Sequence, residues 1–295
     1  MSNADLATLH EAASIAGIDH VGARLIGESE NLIYLLPEHR VARVARPGQE
    51  ASALKEVEVA KWLEDCSVPA VRVLRYIEQP IIVHGRAVTF WRELPSHQEG
   101  DTVDVARALS RLHGLRPPTT FKLPRLAPFV RLHERVESAT TLSANDRAWM
   151  LGKVVDLEVA YSNLPAGLPE CVVHGDAWAG NVVRTGDGTV TLLDFERCSV
   201  GRPEWDLVST AVSYVTAGWM RQEEWAAYCN AYGADVTDWE GFATLRDIRE
   251  LRMATMAAQL AAQNPARYAE QAAHRVACLR GTQGPRPWSG WRAVP

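Results

Sequence analysis

The chain has 295 residues, enough for two domains or for two lobes around one cleft. At 47% hydrophobic and 23% charged residues it has the make-up of an ordinary soluble globular protein, which excludes the disordered and fibrous classes. A formal net charge of −5 offers neither nucleic acid nor an anionic membrane a basic surface, so neither is expected as a partner.

The five cysteines (Cys66, Cys171, Cys198, Cys229 and Cys278) are scattered, and no two stand at C-x-x-C spacing. That pattern argues against a zinc site or a disulfide framework and predicts buried thiols in a reducing compartment. Asp5 and Glu11 interrupt the first residues, which lack the apolar stretch of a secretory leader. No apolar run approaches the ~20 residues that a membrane span needs. A soluble, cytoplasmic chain is expected.

In chain order, residues 21–95 read as short strands around one helix. Strands are predicted at Leu32–Leu36, Arg40–Ala45, Val71–Tyr76, Ile81–Val83 and Ala87–Arg92, with helical spacing over Leu54–Leu63. Pro37, Pro47-Gly48 and the hairpin tip His84-Gly85-Arg86 punctuate them. Next, Val105, Leu109 and Leu112 lie on one face of a helix over Val103–Leu115, with Asp101 or Thr102 placed to cap it and Pro117-Pro118 to end it. A second helix is expected from Asn145 to about Leu164. Strands return at Cys171–Val173, Asn181–Arg184 and Thr189–Phe195, the last two joined by the turn Gly186-Asp187-Gly188. From Asp206 onward the chain reads as helical, with breaks near Gly218, Gly233 and Asn264-Pro265. The predicted architecture is α+β: a small strand-rich lobe over 1–95, a hinge at about 93–99, and a larger, mainly helical lobe over 96–295.

The segment richest in chemistry is Cys171–Glu196, CVVHGDAWAGNVVRTGDGTVTLLDFE. An apolar strand delivers His174-Gly175-Asp176 into a loop, Asn181 follows five residues later, and Asp194 eighteen. Phosphoryl transfer from a metal-bound nucleotide asks little else of a protein, because its catalysis is mostly positioning and charge neutralisation. It needs a carboxylate to orient the attacking hydroxyl and accept its proton. It also needs a carboxylate and an amide oxygen, hard ligands that suit magnesium held against phosphates. Asp176, Asn181 and Asp194 supply that set.

HGDAWAGN resembles the H-G-D-x-x-x-x-N loop of the aminoglycoside phosphotransferase and choline kinase families, which is similar to the H-R-D-x-x-x-x-N loop of protein kinases. Asp194-Phe195-Glu196 occupies the place of the kinase D-F-G. Gly201-Arg202-Pro203-Glu204-Trp205-Asp206-Leu207 looks like the G-x-P-x-x-D-L of the same families. This resemblance implies a protein-kinase-like bilobal fold and an ATP-dependent, or GTP-dependent, transfer of phosphate to a small hydroxylated acceptor, such as an aminoglycoside-like antibiotic or a metabolite. An antibiotic acceptor would imply a role in antibiotic resistance. By the resemblance Asp176 is the base, and Asn181 and Asp194 hold Mg2+. His174 braces the catalytic loop or takes a direct part in proton transfer, and Asp206 is a scaffold that caps its helix and hydrogen-bonds the loop's backbone amides.

Upstream, Ile26–Tyr34 resembles the strand–loop–strand that covers nucleotide phosphates, which brings in Ser29 and Asn31. Arg43 stands where the family places a phosphate-binding cation, with Arg46 as its rival, and Glu56 is the expected partner on the following helix, with Glu58 as its rival. Lysine is the usual residue there; arginine keeps the charge and adds a planar fork. Backbone groups of the hinge segment Phe90–Pro95, which includes Glu93, are expected to meet the base.

The acceptor is less legible. Asp235, Asp238, Glu240, Asp247 and Glu250 suit a cation, with Asp247 and Glu250 the candidates carried forward, while Arg246, Arg249 and Arg252 suit an anionic or neutral molecule. The run Arg246–Arg252 also reads as a solvated helix face laced with ion pairs. Trp178 is expected either as an aromatic wall beside the acceptor or as core. The tail Arg286–Trp291 is expected to fold back on the helices or to border the acceptor.

Overall fold

The computed structural model describes residues 3–28 and 31–294. The first half of the chain runs α1 (Asn3–Ala16), β1 (Arg24–Glu28), β2 (Leu32–Leu36), β3 (Arg40–Val44), α2 (Glu50–Asp65), β4 (Ile81–Val83), β5 (Arg86–Arg92), β6 (His97–Glu99) and α3 (Thr102–His113). It continues with α4 (Leu132–Glu137), α5 (Ala144–Ser162), β7 (Cys171–Val173), β8 (Val182–Thr185), β9 (Val190–Leu192) and β10 (Ser199–Gly201). Four helices close it: α6 (Glu204–Val215), α7 (Gln222–Tyr232), α8 (Phe242–Gln263) and α9 (Pro265–Leu279).

Two compact units result. The first holds the residues up to Pro124 together with Ala179–Ser199, and the second holds Arg125–Trp178 together with Val200 onward. The chain therefore passes from the second unit to the first inside HGDAWAGN, between Trp178 and Ala179. These packing units are a different partition from the functional lobes expected at 1–95 and 96–295.

In the first unit, five antiparallel strands lie in the order β1-β2-β3-β5-β4. Alternation along a strand sends successive side chains to opposite faces. Tyr34, Leu36, Ala42, Val44, Val88 and Phe90 thus form one buried face, closed by Leu9, Ala12 and Ala13 of α1. Arg43, paired in register with Ile33 and Thr89, turns to the other face, where Glu56 of α2 meets it. A three-stranded sheet, β6-β8-β9, completes the unit. Asp101 caps α3 in a capping box with Asp104.

Segment Val71–Tyr76, expected as a strand, is not one. Its hydrogen bonds are divided: the Val71 amide donates to Leu192 and the Leu74 amide to Phe90, with a single bridge from Val73 to Trp91. A segment that splits its bonds between two sheets builds no ladder of its own.

The second unit is helical around one short two-stranded ladder of β7 and β10. Trp205, Leu207, Val208 and Ala211 of α6 and Leu245, Ile248, Leu251 and Ala254 of α8 are all buried. The tail folds back: Trp288 and Trp291 stack at 5.1 Å and pack with Cys278, Ala217, Met253 and Leu279. Of the cysteines, Cys171, Cys198 and Cys278 are buried, but Cys66 is exposed just past the end of α2. No described helix is long and apolar enough to cross a membrane.

Candidate active site

In the first unit the site is built around one arginine. Arg43 Nη1 donates to Glu56 Oε1 at 2.7 Å, with both side chains largely shielded from solvent. With the Asn31 amide oriented oxygen toward Arg43, its oxygen accepts from Nε at 2.9 Å and from Nη2 at 2.6 Å. The guanidinium is thus gripped from two sides, a geometry that a lysine ammonium does not reproduce. Arg43, Asn31 and Glu56 line one cavity together with Thr89, Ser52 and Glu196. Arg46 is exposed on the turn beyond the strand. Ser29 lies outside the described residues.

The electrostatics of this cavity are lopsided. Glu56, Asp194 and Glu196 all act on the single Arg43 charge. Burial pushes the Glu56 carboxyl up to about 7; Arg43 pulls it down, and Asp194 and Glu196 push it further up. The carboxyl groups of Glu56, Asp194 and Glu196 thus act on one guanidinium, an environment that a divalent cation arriving with phosphates would help to balance.

Asp194 sits at φ 58°, a left-handed conformation that non-glycine residues adopt rarely and that concentrates at functional sites. Its carboxylate accepts from the Glu196 amide at 3.4 Å. Asn181 is buried, and its backbone carbonyl accepts from the Leu193 amide at 2.9 Å, so the turn bearing Asn181 is tied to the residue before Asp194. Among the described residues no group of three or more His, Cys, Asp or Glu is assembled to hold a metal alone. One carboxylate and one amide oxygen fit magnesium, which keeps most of its shell for water and substrate phosphates.

Glu93 is spoken for: its amide donates to the His39 carbonyl at 2.9 Å, and its carboxylate accepts from the His39 ring at 2.7 Å. That leaves this one amide in use within the protein.

In the second unit the His174-Gly175-Asp176 turn hangs from α6. Asp206, fully buried, accepts the His174 amide at 2.7 Å through one carboxylate oxygen and the Gly175 amide at 2.8 Å through the other. This is the expected scaffold role toward the loop amides, but Asp206 does not cap its helix, whose N-cap position is Pro203. Gly175 stands at φ 83°, where a β-carbon is strained, and its carbonyl accepts from the buried Trp205 indole at 3.3 Å. The ring of His174 is fully buried. Asp176 emerges from this braced turn partly exposed, and its Oδ1 accepts from Arg249 Nη2 at 3.3 Å. Trp178 is largely exposed, so it is not core.

The α8 run corrects one expectation. Arg246–Arg252 is not a solvated face: Glu250 is fully buried, and most of the pairs reach beyond the helix. Glu250 accepts from Arg286 Nε at 2.7 Å, from Arg286 Nη2 at 2.5 Å, and from the Thr216 hydroxyl at 2.6 Å. Asp247 accepts from Arg246 at 2.8 Å and from Arg286 at 3.3 Å, with Lys153 at 4.0 Å. No local pattern marks Asn31 as orienting Arg43 or Arg249 as reaching Asp176, since both depend on contacts between distant segments.

A family model described as the phosphotransferase enzyme family matches residues 22–251. The chain belongs to that family. Membership makes it a small-molecule phosphotransferase. Its mixed fold, a small antiparallel sheet region with a helical remainder, is the kinase-like fold of solved relatives. One is an amicoumacin kinase in complex with AMP-PNP, Ca2+ and Ami, at TM-score 0.72 and 12% identity over 97% of this chain and 96% of that one. A choline kinase from Streptococcus pneumoniae aligns at TM-score 0.65 and 15% identity over 94% and 100%. An aminoglycoside phosphotransferase from Streptomyces rimosus aligns at 0.59 and 21% over 83% and 98%. No curated protein is similar enough in sequence to count as a match.

Proposed function

We propose that the chain transfers the γ-phosphoryl group of ATP, or of GTP, to a hydroxyl of a small molecule in the cytoplasm. Residues 1–95 form the nucleotide lobe, hinged near 93–99, and 96–295 the catalytic and acceptor lobe. The observation that most supports this reading is the doubly held Arg43 in a cavity shared with Glu56 and Glu196. A fixed guanidinium with an excess of carboxylates around it suits phosphate oxygens that arrive with a divalent cation.

In this reading the acceptor oxygen attacks the γ-phosphorus, the bond to the β,γ-bridging oxygen breaks, and ADP leaves. The hydroxyl proton passes to Asp176, which the Asp206-braced turn presents. Asn181 and Asp194 would hold Mg2+. When bound, the ion supplies charge neutralisation at the phosphates. Arg43 positions the phosphates, Asn31 and Glu56 position Arg43, and His174 positions the loop.

The solved relatives include kinases of an antibiotic and of choline, so the acceptor class spans antibiotics and metabolites. An antibiotic acceptor would make this a resistance enzyme.

Incubation of the purified protein with ATP and Mg2+ tests the reading. Slow ADP release is expected, lost on chelation of the metal and lost in Asp194→Ala. Asn181→Ala should harm it less, because an amide neutralises no charge. Nucleotide binding with no ADP release under any condition would instead leave a nucleotide-binding module without turnover.

A further inference from the structure

The surroundings of Asp176 bear on the acceptor's charge. A cationic acceptor needs open carboxylates near the reacting hydroxyl, because a desolvated ammonium must be paired. The two carboxylates of α8 best placed for that duty are already committed. Glu250 has no exposed surface and is held by Arg286 and Thr216, while Asp247 is shared among Arg246, Arg286 and Lys153.

What meets Asp176 is a cation. Arg249 Nη2 lies 3.3 Å from Asp176 Oδ1, with the arginine side chain 14% exposed and the carboxylate 37%. The guanidinium also lies over the Trp205 ring, 5.8 Å from its centroid. Trp205 is itself 2% exposed and anchored to the Gly175 carbonyl. Arg249 is therefore set by the same brace that sets the base. Arg252 flanks the same ring at 5.8 Å. An ammonium carried beside the reacting hydroxyl would face the Arg249 guanidinium at short range.

We infer that the acceptor is an anionic hydroxylated molecule, with a carboxylate or phosphate near the reacting hydroxyl, and that Arg249 is its specificity-determining residue. Without acceptor, Arg249 rests on Asp176. An arriving carboxylate or phosphate competes for the guanidinium fork, which pairs bidentately with such groups, and Asp176 is released to face the hydroxyl. The inference rests on the phosphotransferase reading above and narrows its acceptor.

Matched acceptors on one carbon skeleton test it. Glycerate, glycerol and 3-aminopropane-1,2-diol form one set, and gluconate, glucitol and glucamine another. Glycerol 3-phosphate separates a phosphate requirement from a carboxylate one. Each is added with ATP and Mg2+, and phosphate transfer is scored by mass against ADP release without acceptor.

At least one anion should be phosphorylated, or compete with basal ADP release, and should be favoured over its neutral and cationic counterparts. Arg249→Gln should lower kcat/KM for that anion by about 10- to 100-fold, the worth of a charge-assisted hydrogen bond. The ratio of anionic to neutral substrate should fall with it, and Arg249→Lys should restore part of the ratio. A purely structural role would depress all members alike. Preference for the amines, a uniform loss in Arg249→Gln, or indifference to every anion would overturn the inference. The basal, Asp194-dependent ADP release in the same assay reports separately on the phosphotransferase reading: its absence would sink that reading instead.

Discussion

Arg43 and Glu56 carry most of what the residue scale can test. Glu56 is ordinarily a carboxyl of pKa 4.5, and burial first, then Asp194 and Glu196, push it up to about 7 against the pull of Arg43. Between those values the folded protein holds a proton that the unfolded chain releases. Stability is therefore greater at the acid end of this window and declines as pH rises through about 7, by at most about 3 kcal/mol. Thermal midpoints of nucleotide-free protein from pH 5 to 8 should show that decline in the wild type. Glu56→Gln, which keeps an oxygen for Arg43 but cannot titrate, should flatten it; parallel curves for the two proteins would remove Glu56 as the source. Arg43 itself is held by Asn31 and Glu56 at once. Arg43→Ala should raise KM for ATP and lower kcat. Arg43→Lys should recover only part of both, since charge returns without the fork. Full activity in Arg43→Lys would show that the two-sided grip is dispensable.

Among elements, α6 and the turn after β7 act together. Asp206, in the first turn of α6, takes the amides of His174 and Gly175, and Trp205 takes the Gly175 carbonyl. Asp206→Asn retains one acceptor and presents an NH2 to the second amide. It should cost about 2–4 kcal/mol of stability. Nucleotide affinity should be nearly kept, because Arg43 and its partners belong to the other packing unit. Calorimetric unfolding and nucleotide titration of this variant would check both halves, and a loss of nucleotide binding without a loss of stability would contradict them. The role of Asp206 toward the loop was legible through the resemblance of Gly201–Leu207 to G-x-P-x-x-D-L, since an Asp near a helix start reads by itself as a cap for that helix. Several strands were equally legible: Leu32–Leu36, Ile81–Val83 and Cys171–Val173 have apolar cores cut off by turn residues. Helix α1 was not, since its buried side is built largely of alanine, including Ala12 and Ala13, which gives little contrast between faces. Val71–Tyr76 has strand composition, but its hydrogen bonds go to two different sheets. Composition cannot distinguish that from a ladder.

For the whole molecule, a strand-rich beginning followed by helices was visible in the alternation of periodicities, and the family match and kinase-like fold agree with it. The partition of the chain into packing units was not visible, because it depends on β8 and β9 joining β6 and α3 across some eighty residues of intervening sequence. The proposed catalytic set, Asp176, Asn181 and Asp194, stands out in the sequence because its spacing lies within one short segment. The partners that tune it, Asn31 for Arg43 and Arg249 for Asp176, come from distant segments and carry no local mark. The most direct test of the central reading is therefore made on Asp176, the residue on which the motif and the braced turn both converge. Steady-state phosphate transfer by Asp176→Asn should fall at least ~100-fold in kcat, as expected for loss of a general base, with nucleotide affinity within about threefold of the wild type. A variant that kept kcat within threefold of the wild type would contradict it.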